Sequence, residues 1–246
     1  MRVTRTARSV PQNLNALLGK LPVDDYQRLL VHLELVKLER RTVIHRQGAP
    51  VEHVYFPGGG LCSVASGMED GETVIVAIVG REGLVGAPVL ATDGTGITAS
   101  MVLVGCEDAL RLPIGVFTAE IDRRGVLYDA IMRYSETLVA SIIQTAACNR
   151  AHTIEKRLPC WLLHAMGRLN NDEIPLTQET LAMMLGVRRA SVTLAANTLQ
   201  DAGLIKYTHG RIRIVDLGGL ESASCGCYRA TQKMTSYDRS MAQRAC

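Results

Sequence analysis

No stretch of this sequence approaches the roughly 20 consecutive apolar residues that a membrane-spanning helix needs. The basic beginning, Met1 to Val10, is followed by no apolar signal core. Its seven cysteines lack the regular spacing of a secreted disulfide framework, so a cytoplasmic protein is expected. A phosphate loop, a nucleophile elbow and a zinc-hydrolase helix are all missing, and no enzyme class is indicated. The paired acids Glu69 and Asp70 suit a hairpin turn at Asp70-Gly71 better than acid–base catalysis. Charge is nearly balanced at +3, which permits nucleic acid as a partner without demanding it. With 47% hydrophobic and 21% charged residues in 246, the chain can build one large domain or two modest ones.

The most informative stretch runs from Leu176 to Leu194. Leu181, Leu185, Val192 and Leu199 recur at helical spacing and give two short helices one apolar stripe each. Ala182 is small where the two would cross. Gly186 follows the first helix, where a left-handed cap costs glycine least. Thr177 after Pro175 is the expected N-cap, and Glu179 suits the first turn. This is the helix-turn-helix pattern, with Arg189 to Asp201 as the candidate recognition helix for a DNA major groove. A hairpin follows: Leu204 to Tyr207, a turn at Thr208-His209-Gly210, then Arg211 to Val215. Ile212 and Ile214 alternate with Arg211 and Arg213, so one face packs and the other presents guanidinium groups. Together they read as a winged helix-turn-helix.

Upstream, residues 1–20 read as a flexible arm, and Pro22 to Leu33 as a short helix with Leu29, Leu30 and Leu33 on its apolar side. From Val36 to Leu112, short β-branched runs alternate with turn signals: Arg41 to His45, His53 to Phe56, Thr73 to Val79 and Met101 to Val104. Strands at this spacing predict an antiparallel sandwich or barrel. Phe117 to Ala151 is helical. Leu127, Ile131, Tyr134, Leu138, Ser141, Thr145, Cys148 and His152 form a heptad seam along it, with Tyr128, Met132 and Ile142 as a second stripe. Two stripes suit a helix that packs on its own domain and on a partner helix, which favours a homodimer. His152 to Asn171 should open the C-terminal domain, and the tail beyond Asp216 reads as irregular or weakly helical.

The fold expected is therefore α+β. It comprises an N-terminal antiparallel β-roll (a double-stranded β-helix or jelly-roll) over residues 21–118, a long dimerisation helix over 119–152, a winged helix-turn-helix over 153–218 and a tail over 219–246. This order of parts resembles the Crp/Fnr family from Val23 to Leu217, most specifically at His53-Val-Tyr-Phe-Pro57, Gly80-Arg-Glu-Gly-Leu-Val-Gly86 and Leu185-Gly-Val-Arg-Arg-Ala-Ser-Val192. The resemblance implies a dimeric transcription regulator whose cyclic-nucleotide-binding-like domain senses a signal. It also implies double-stranded DNA and RNA polymerase as partners.

Departures from the family's pattern carry equal weight. In the family's cyclic-nucleotide binders a glutamate holds the ribose and an arginine the cyclic phosphate. Those places resemble Ala87 and Ile97 here, within a degenerate cassette that includes Gly86, Thr95 and Thr98. A buried phosphate without a cation is costly, so the effector is expected to be something other than cyclic AMP. The N-terminal cysteine cluster of the fumarate-nitrate regulator is missing too, the first cysteine being Cys62. On the recognition helix, Ala190 and Leu194 stand where relatives place a glutamate and an arginine. Arg189 remains as the expected base contact, to guanine O6 and N7, with Thr193 and Asn197 as second choices. Arg188, Ser191, Thr177, Gln178, Arg211 and Arg213 are assigned to phosphates.

Two alternatives stay open. One is a ligand-binding regulatory module whose C-terminal helices serve a protein interface. The other is a redox- or metal-responsive regulator using Cys225, Cys227 and Cys246. A single Cys-x-Cys is a weak signal, no histidine lies in the tail, and the other histidines are dispersed along the chain. No cofactor and no metal-ligand set is expected from the sequence.

Overall fold

The structure is a computed structural model and describes residues 3–6, 11–69, 71–86, 94–169 and 171–232. In chain order its strands and helices are β1 (Val3–Thr6), α1 (Val23–Leu30), β2 (Glu34–Leu38), β3 (Val43–His45), β4 (His53–Pro57), β5 (Leu61–Gly67), β6 (Thr73–Val79), β7 (Ser100–Val104) and β8 (Cys106–Pro113). Then follow α2 (Ile114–Asp122), α3 (Val126–Ala151), α4 (Ile154–Leu169), β9 (Glu173–Ile174), α5 (Gln178–Leu185), α6 (Arg189–Asp201), β10 (Ile205–Thr208), β11 (Arg211–Ile214) and α7 (Leu217–Ala223). The chain divides into two compact units, Met1–Glu72 with Ile78–Ser135, and Thr73–Ala77 with Glu136–Cys246. The boundary falls inside α3, so neither end of the expected dimerisation helix marks it.

The first unit is built on antiparallel strands, as the β-branched runs predict. One sheet has the order β1-β2-β8-β4 and another β3-β7-β5-β6. Strands β2 and β8 went unrecognised in the sequence because charges interrupt them. Glu34 and Arg111 sit opposite each other in register, and the Arg111 Nη2 to Glu34 Oε2 distance is 2.6 Å. That ion pair lets both charges lie on a strand without an unpaired buried group.

Residues 1–20, expected as a flexible arm, are instead structured where they are described. Val3–Thr6 pairs with β2, and Leu17 and Leu18 are buried. Asn15 explains the difference. Its buried side chain donates to the carbonyls of Pro57 and Gly83, both at 2.9 Å, and accepts from the amide of Leu17 at 2.9 Å. A buried amide with its hydrogen bonds met is a latch that composition cannot reveal.

The core of this unit joins Leu17, Leu18, Leu29 and Leu33 to Val54, Phe56, Leu110 and Leu112. It also takes Leu127, Ala130 and Ile131 from α3, with Tyr134 packed beside them. Tyr134 donates to the Leu84 carbonyl at 3.4 Å, and its ring fills the space where a side chain at Gly83 would stand. The first part of the expected dimer seam, Leu127, Ile131 and Tyr134, is thus committed to the N-terminal unit's own core. The large apolar residues that α3 leaves exposed are Val126, Val139 and Ile143, the last at 65%. The helical run expected from Phe117 to Ala151 is also interrupted: α2 ends at Asp122, and Arg124 takes a positive φ of 52° before α3 starts.

In the second unit, α4 carries Leu158, Leu162, Leu163 and Ala165 into a buried face. Leu181, Met184 and Leu185 of α5, and Val192, Ala195, Ala196 and Leu199 of α6, are buried with it. Burying so many aliphatic groups, each contributing on the order of 1.5–3 kcal/mol relative to exposure, holds these short helices together. The tail is more regular than expected: α7 is capped by Asp216, whose side chain accepts from the amide of Gly219, and residues 227–232 are helical again. Among the described residues, no helix is long and apolar enough to cross a membrane.

Candidate nucleic-acid interface

Helix α5 starts where its threonine can close the first turn. Thr177 Oγ1 accepts from the amide of Thr180 at 3.3 Å and shares a hydrogen bond with its hydroxyl at 3.0 Å. Gly186 ends α5 at φ 60° and ψ 43°, the left-handed cap its position requires. The turn is three residues long, and α6 begins at Arg189. Its N-cap, Arg188, makes no side-chain capping bond, so both Arg188 and Arg189 extend from the helix start into solvent.

Spacing then decides what α6 presents. Val192, Ala195, Ala196 and Leu199 face inward, leaving Arg189, Ala190, Leu194 and Asn197 exposed, with Ser191 and Thr193 half-buried. Arg189, Thr193 and Asn197 lie four residues apart and share one line along the helix. Gln178 joins them from α5. Its Oε1 accepts from Arg189 Nε at 3.3 Å and from Thr193 Oγ1 at 3.1 Å. The amide therefore braces the arginine stem while the outer nitrogens stay free to fork toward an acceptor. Leu194 is 70% exposed, a large aliphatic group on the face that elsewhere presents polar atoms.

The wing forms as the alternation predicts. Residues 205–208 pair with residues 211–214, and His209 and Gly210 take φ 49° and 76°, the two positive values of a type I′ turn. Ile212 and Ile214 are buried; Arg211 and Arg213 point out. A third strand, β9, completes the sheet by pairing Ile174 with Ile212. Two residues are too few to show a period in sequence. Its neighbourhood changes the reading of both wing arginines. Arg211 Nη1 lies 2.6 Å from Glu173 Oε1, and Arg213 Nε lies 3.6 Å from Asp172 Oδ2. The wing stands on the helices through Tyr207, whose amide donates to Gln200 Oε1 at 2.9 Å. A side chain at Gly210 would come within 3.3 Å of the Thr177 methyl group, so the turn sits beside the start of α5.

Two separate regions of the chain match family models. Residues 35–124 match the model described as cyclic nucleotide-binding domain, and residues 156–223 the one described as Crp-like helix-turn-helix domain. The chain has the two-domain build of the Crp/Fnr family. Solved structures agree on the fold. A transcriptional regulator assigned to this family from Eubacterium rectale is 17% identical, with a TM-score of 0.67 over 86% of this chain and 98% of its own. The c-di-GMP-responsive global regulator CLP of Xanthomonas campestris is 16% identical, with a TM-score of 0.66 over 79% of this chain and 100% of its own. FixK2 of Bradyrhizobium japonicum is also 16% identical, with a TM-score of 0.61 over 78% of this chain and 98% of its own. No curated protein matches the chain.

The expected effector cassette is described only in part, since Ala87 lies outside the described residues. Gly86 has a φ of 82°, and a side chain there would run into the carbonyl of His53. Ile97, expected in the place of the family's arginine, is 61% exposed. Thr95 bridges Pro50 across the strands, and Thr98 is half-buried. His45 lies beside this segment with its Nδ1 buried and unpartnered, and burial lowers its pKa. Cys62 and Cys106 are buried small side chains of the β-region, and burial pushes the Cys62 thiol up to about 12.

The tail cysteines are not isolated. Cys225 and Cys227 stand against Cys148 and His152. Cys246 lies outside the described residues. His152, one of the dispersed histidines of the sequence, has its Nδ1 3.6 Å from the Cys227 sulfur.

Proposed function

We propose that this Crp/Fnr-like transcriptional regulator, with its helix-turn-helix DNA-binding domain, reads specific DNA sequences as a homodimer. The proposal extends to its signal, which is something other than cyclic AMP. The observation that carries the DNA reading is the line Arg189, Thr193 and Asn197 along α6, exposed at both ends and braced from α5 by Gln178. An α-helix fits the major groove, and an arginine fork matches guanine O6 and N7. Leu194 adds an apolar contact of the kind a thymine methyl accepts. Arg188, Ser191 and the wing arginines supply phosphate contacts around it. The Thr177 hydroxyl is engaged in capping α5, so its share falls to Gln178 and the helix start. A protein-binding face would favour aromatic anchors here, and this face has none.

The homodimer is supported by Val139 and Ile143, aliphatic side chains exposed on α3 of a single chain. A second copy of the same helix covers them in an isologous seam, which also matches two-fold operators. The signal assignment rests on Ala87 and Ile97 in place of the residues that pair with ribose and phosphate.

Selection of bound duplexes from a random pool, followed by a salt series on the winner, tests the DNA reading. An inverted-repeat consensus and a steep fall of affinity with salt are expected; no enrichment and flat salt dependence would reject it. Calorimetry with cyclic AMP should give no heat of binding, and micromolar affinity would refute the argument from Ala87 and Ile97.

A further inference from the structure

Four side chains converge at the junction of α3, α4 and the tail. Cys148 and His152 are one helical turn apart at the end of α3, where the His152 amide still donates to the Cys148 carbonyl at 3.0 Å. Their side chains therefore share a face. The tail brings the other two: the Cys225 amide donates to the Lys156 carbonyl of α4 at 3.1 Å, and Cys227 opens the next helical turn. One ligand atom from each of the four lies within 4.8 Å of every other. The Cys148 and Cys225 sulfurs are 3.5 Å apart, and Cys227 Sγ is 3.6 Å from His152 Nδ1.

The two shortest of those separations are close to the edges of a tetrahedral metal site, and the rest stay within 4.8 Å. Metal–sulfur bonds of about 2.3 Å and a metal–nitrogen bond of about 2.0 Å at tetrahedral angles give sulfur–sulfur edges of roughly 3.8 Å and sulfur–nitrogen edges of roughly 3.5 Å. We propose that Cys148, His152, Cys225 and Cys227 form a closed tetrahedral site for a divalent transition metal of the zinc type.

The surroundings fit that charge. Arg157 is buried, and among the described residues no carboxylate pairs with it. Its Nη2 donates to Asn149 Oδ1 at 2.5 Å and to the Leu185 carbonyl, while its Nε is unpartnered. An isolated buried guanidinium is costly. Three thiolates around a dication leave one net negative charge, and Arg157, held by Asn149 next to Cys148, is a buried cation placed to offset it. Gln144 Nε2 donates to the Cys227 sulfur at 3.1 Å. Metal-bound thiolates accept such bonds and are oriented by them. Binding releases the protons of the coordinating thiols to solvent, with no change of oxidation state.

With four protein ligands no position is left for a substrate, so the site is structural or sensory rather than catalytic. It fastens the tail to α3. Through Arg157 it also reaches the Leu185 carbonyl at the end of α5, immediately before the turn into α6.

The test uses the full-length protein, thiol-reduced and stripped with a chelator, then titrated with cobalt(II) in the absence of DNA. The expected result is one equivalent bound per chain, with a thiolate-to-cobalt charge-transfer band and ligand-field bands of tetrahedral intensity, bleached by one equivalent of zinc. Cys227→Ser and His152→Ala should each weaken binding at least about a hundredfold, since even the outer partners of metal ligands matter on a scale of roughly 10–100-fold. His152 is half-exposed, so its truncation tests the site without endangering the fold. The absence of charge-transfer absorption, weak octahedral-type bands, or unchanged affinity in both variants would overturn the proposal.

Discussion

Arg211 of the wing is held by Glu173 of β9, with Nη1 and Oε1 2.6 Å apart on the protein surface. An exposed pair of this kind stabilises the fold by only about 0–1 kcal/mol. Its larger effect is on what the guanidinium can do elsewhere, because a phosphate must displace Glu173 to reach it. Glu173→Gln should therefore raise affinity for all duplexes several-fold at low salt, with the gain shrinking as salt rises. Arg211→Ala should lower affinity for all sequences alike. Fluorescence anisotropy across a salt series reads both, and a fall in affinity for Glu173→Gln would contradict this account.

Arg189 is braced differently, by a neutral amide. Gln178 accepts from its Nε and leaves the outer nitrogens available. Arg189→Ala should cost roughly 1–3 kcal/mol on the preferred site and relax preference at one base position per half-site. Gln178→Ala should lose part of the same discrimination by releasing the arginine stem. Equal losses on preferred and random duplexes would mean that Arg189 does not read bases.

On α3, neighbouring residues should answer differently. Ile131 is fully buried in its own unit, and Ile131→Ala should reduce stability by roughly 2–5 kcal/mol. Ile143 is exposed, and Ile143→Glu should leave stability nearly unchanged while shifting the protein from dimer to monomer. Sedimentation velocity with a thermal melt on each variant separates the two effects. An Ile143→Glu protein that sediments like the unmodified chain would refute the proposed seam.

His164 adds a pH dependence to the C-terminal unit. It packs edge-on to Tyr228, with ring centroids 5.2 Å apart. Desolvation first, and the nearby Arg168 charge second, bring its pKa from 6.5 down to about 3. Between those values the unfolded chain binds a proton that the folded chain does not. Stability should thus be constant above about pH 6.5 and decline as pH falls below it, by at most about 1.4 kcal/mol per unit from this group. His164→Gln should flatten the melting temperature between pH 7 and 5.5 relative to the unmodified protein. An identical decline in both proteins would assign the effect to other groups.

The helix pair and wing were legible because their information is local. Thr177, Gly186 and the alternation of Ile212 and Ile214 state capping, turn and pleat within a few residues of the chain. The same holds for Arg189 to Asp201, whose ends coincide with α6. Strand β9 escaped because two residues carry no period, and the N-terminal segment because one buried amide, Asn15, organises it.

What only the tertiary structure decided is which residues meet across long stretches of chain. The stripe on α3 shows periodicity in sequence, but burial of Leu127 and Ile131 in their own unit depends on strands folded earlier in the chain. Glu173 and Arg211 are 38 residues apart, so neither residue announces the other. Cys148 and Cys225 are separated by 77 residues, and a lone Cys-x-Cys in the tail says nothing of the thiol and imidazole waiting at the end of α3. Periodicity reports a residue's face, whereas coordination and charge pairing require positions in space, and those are set by how the faces pack.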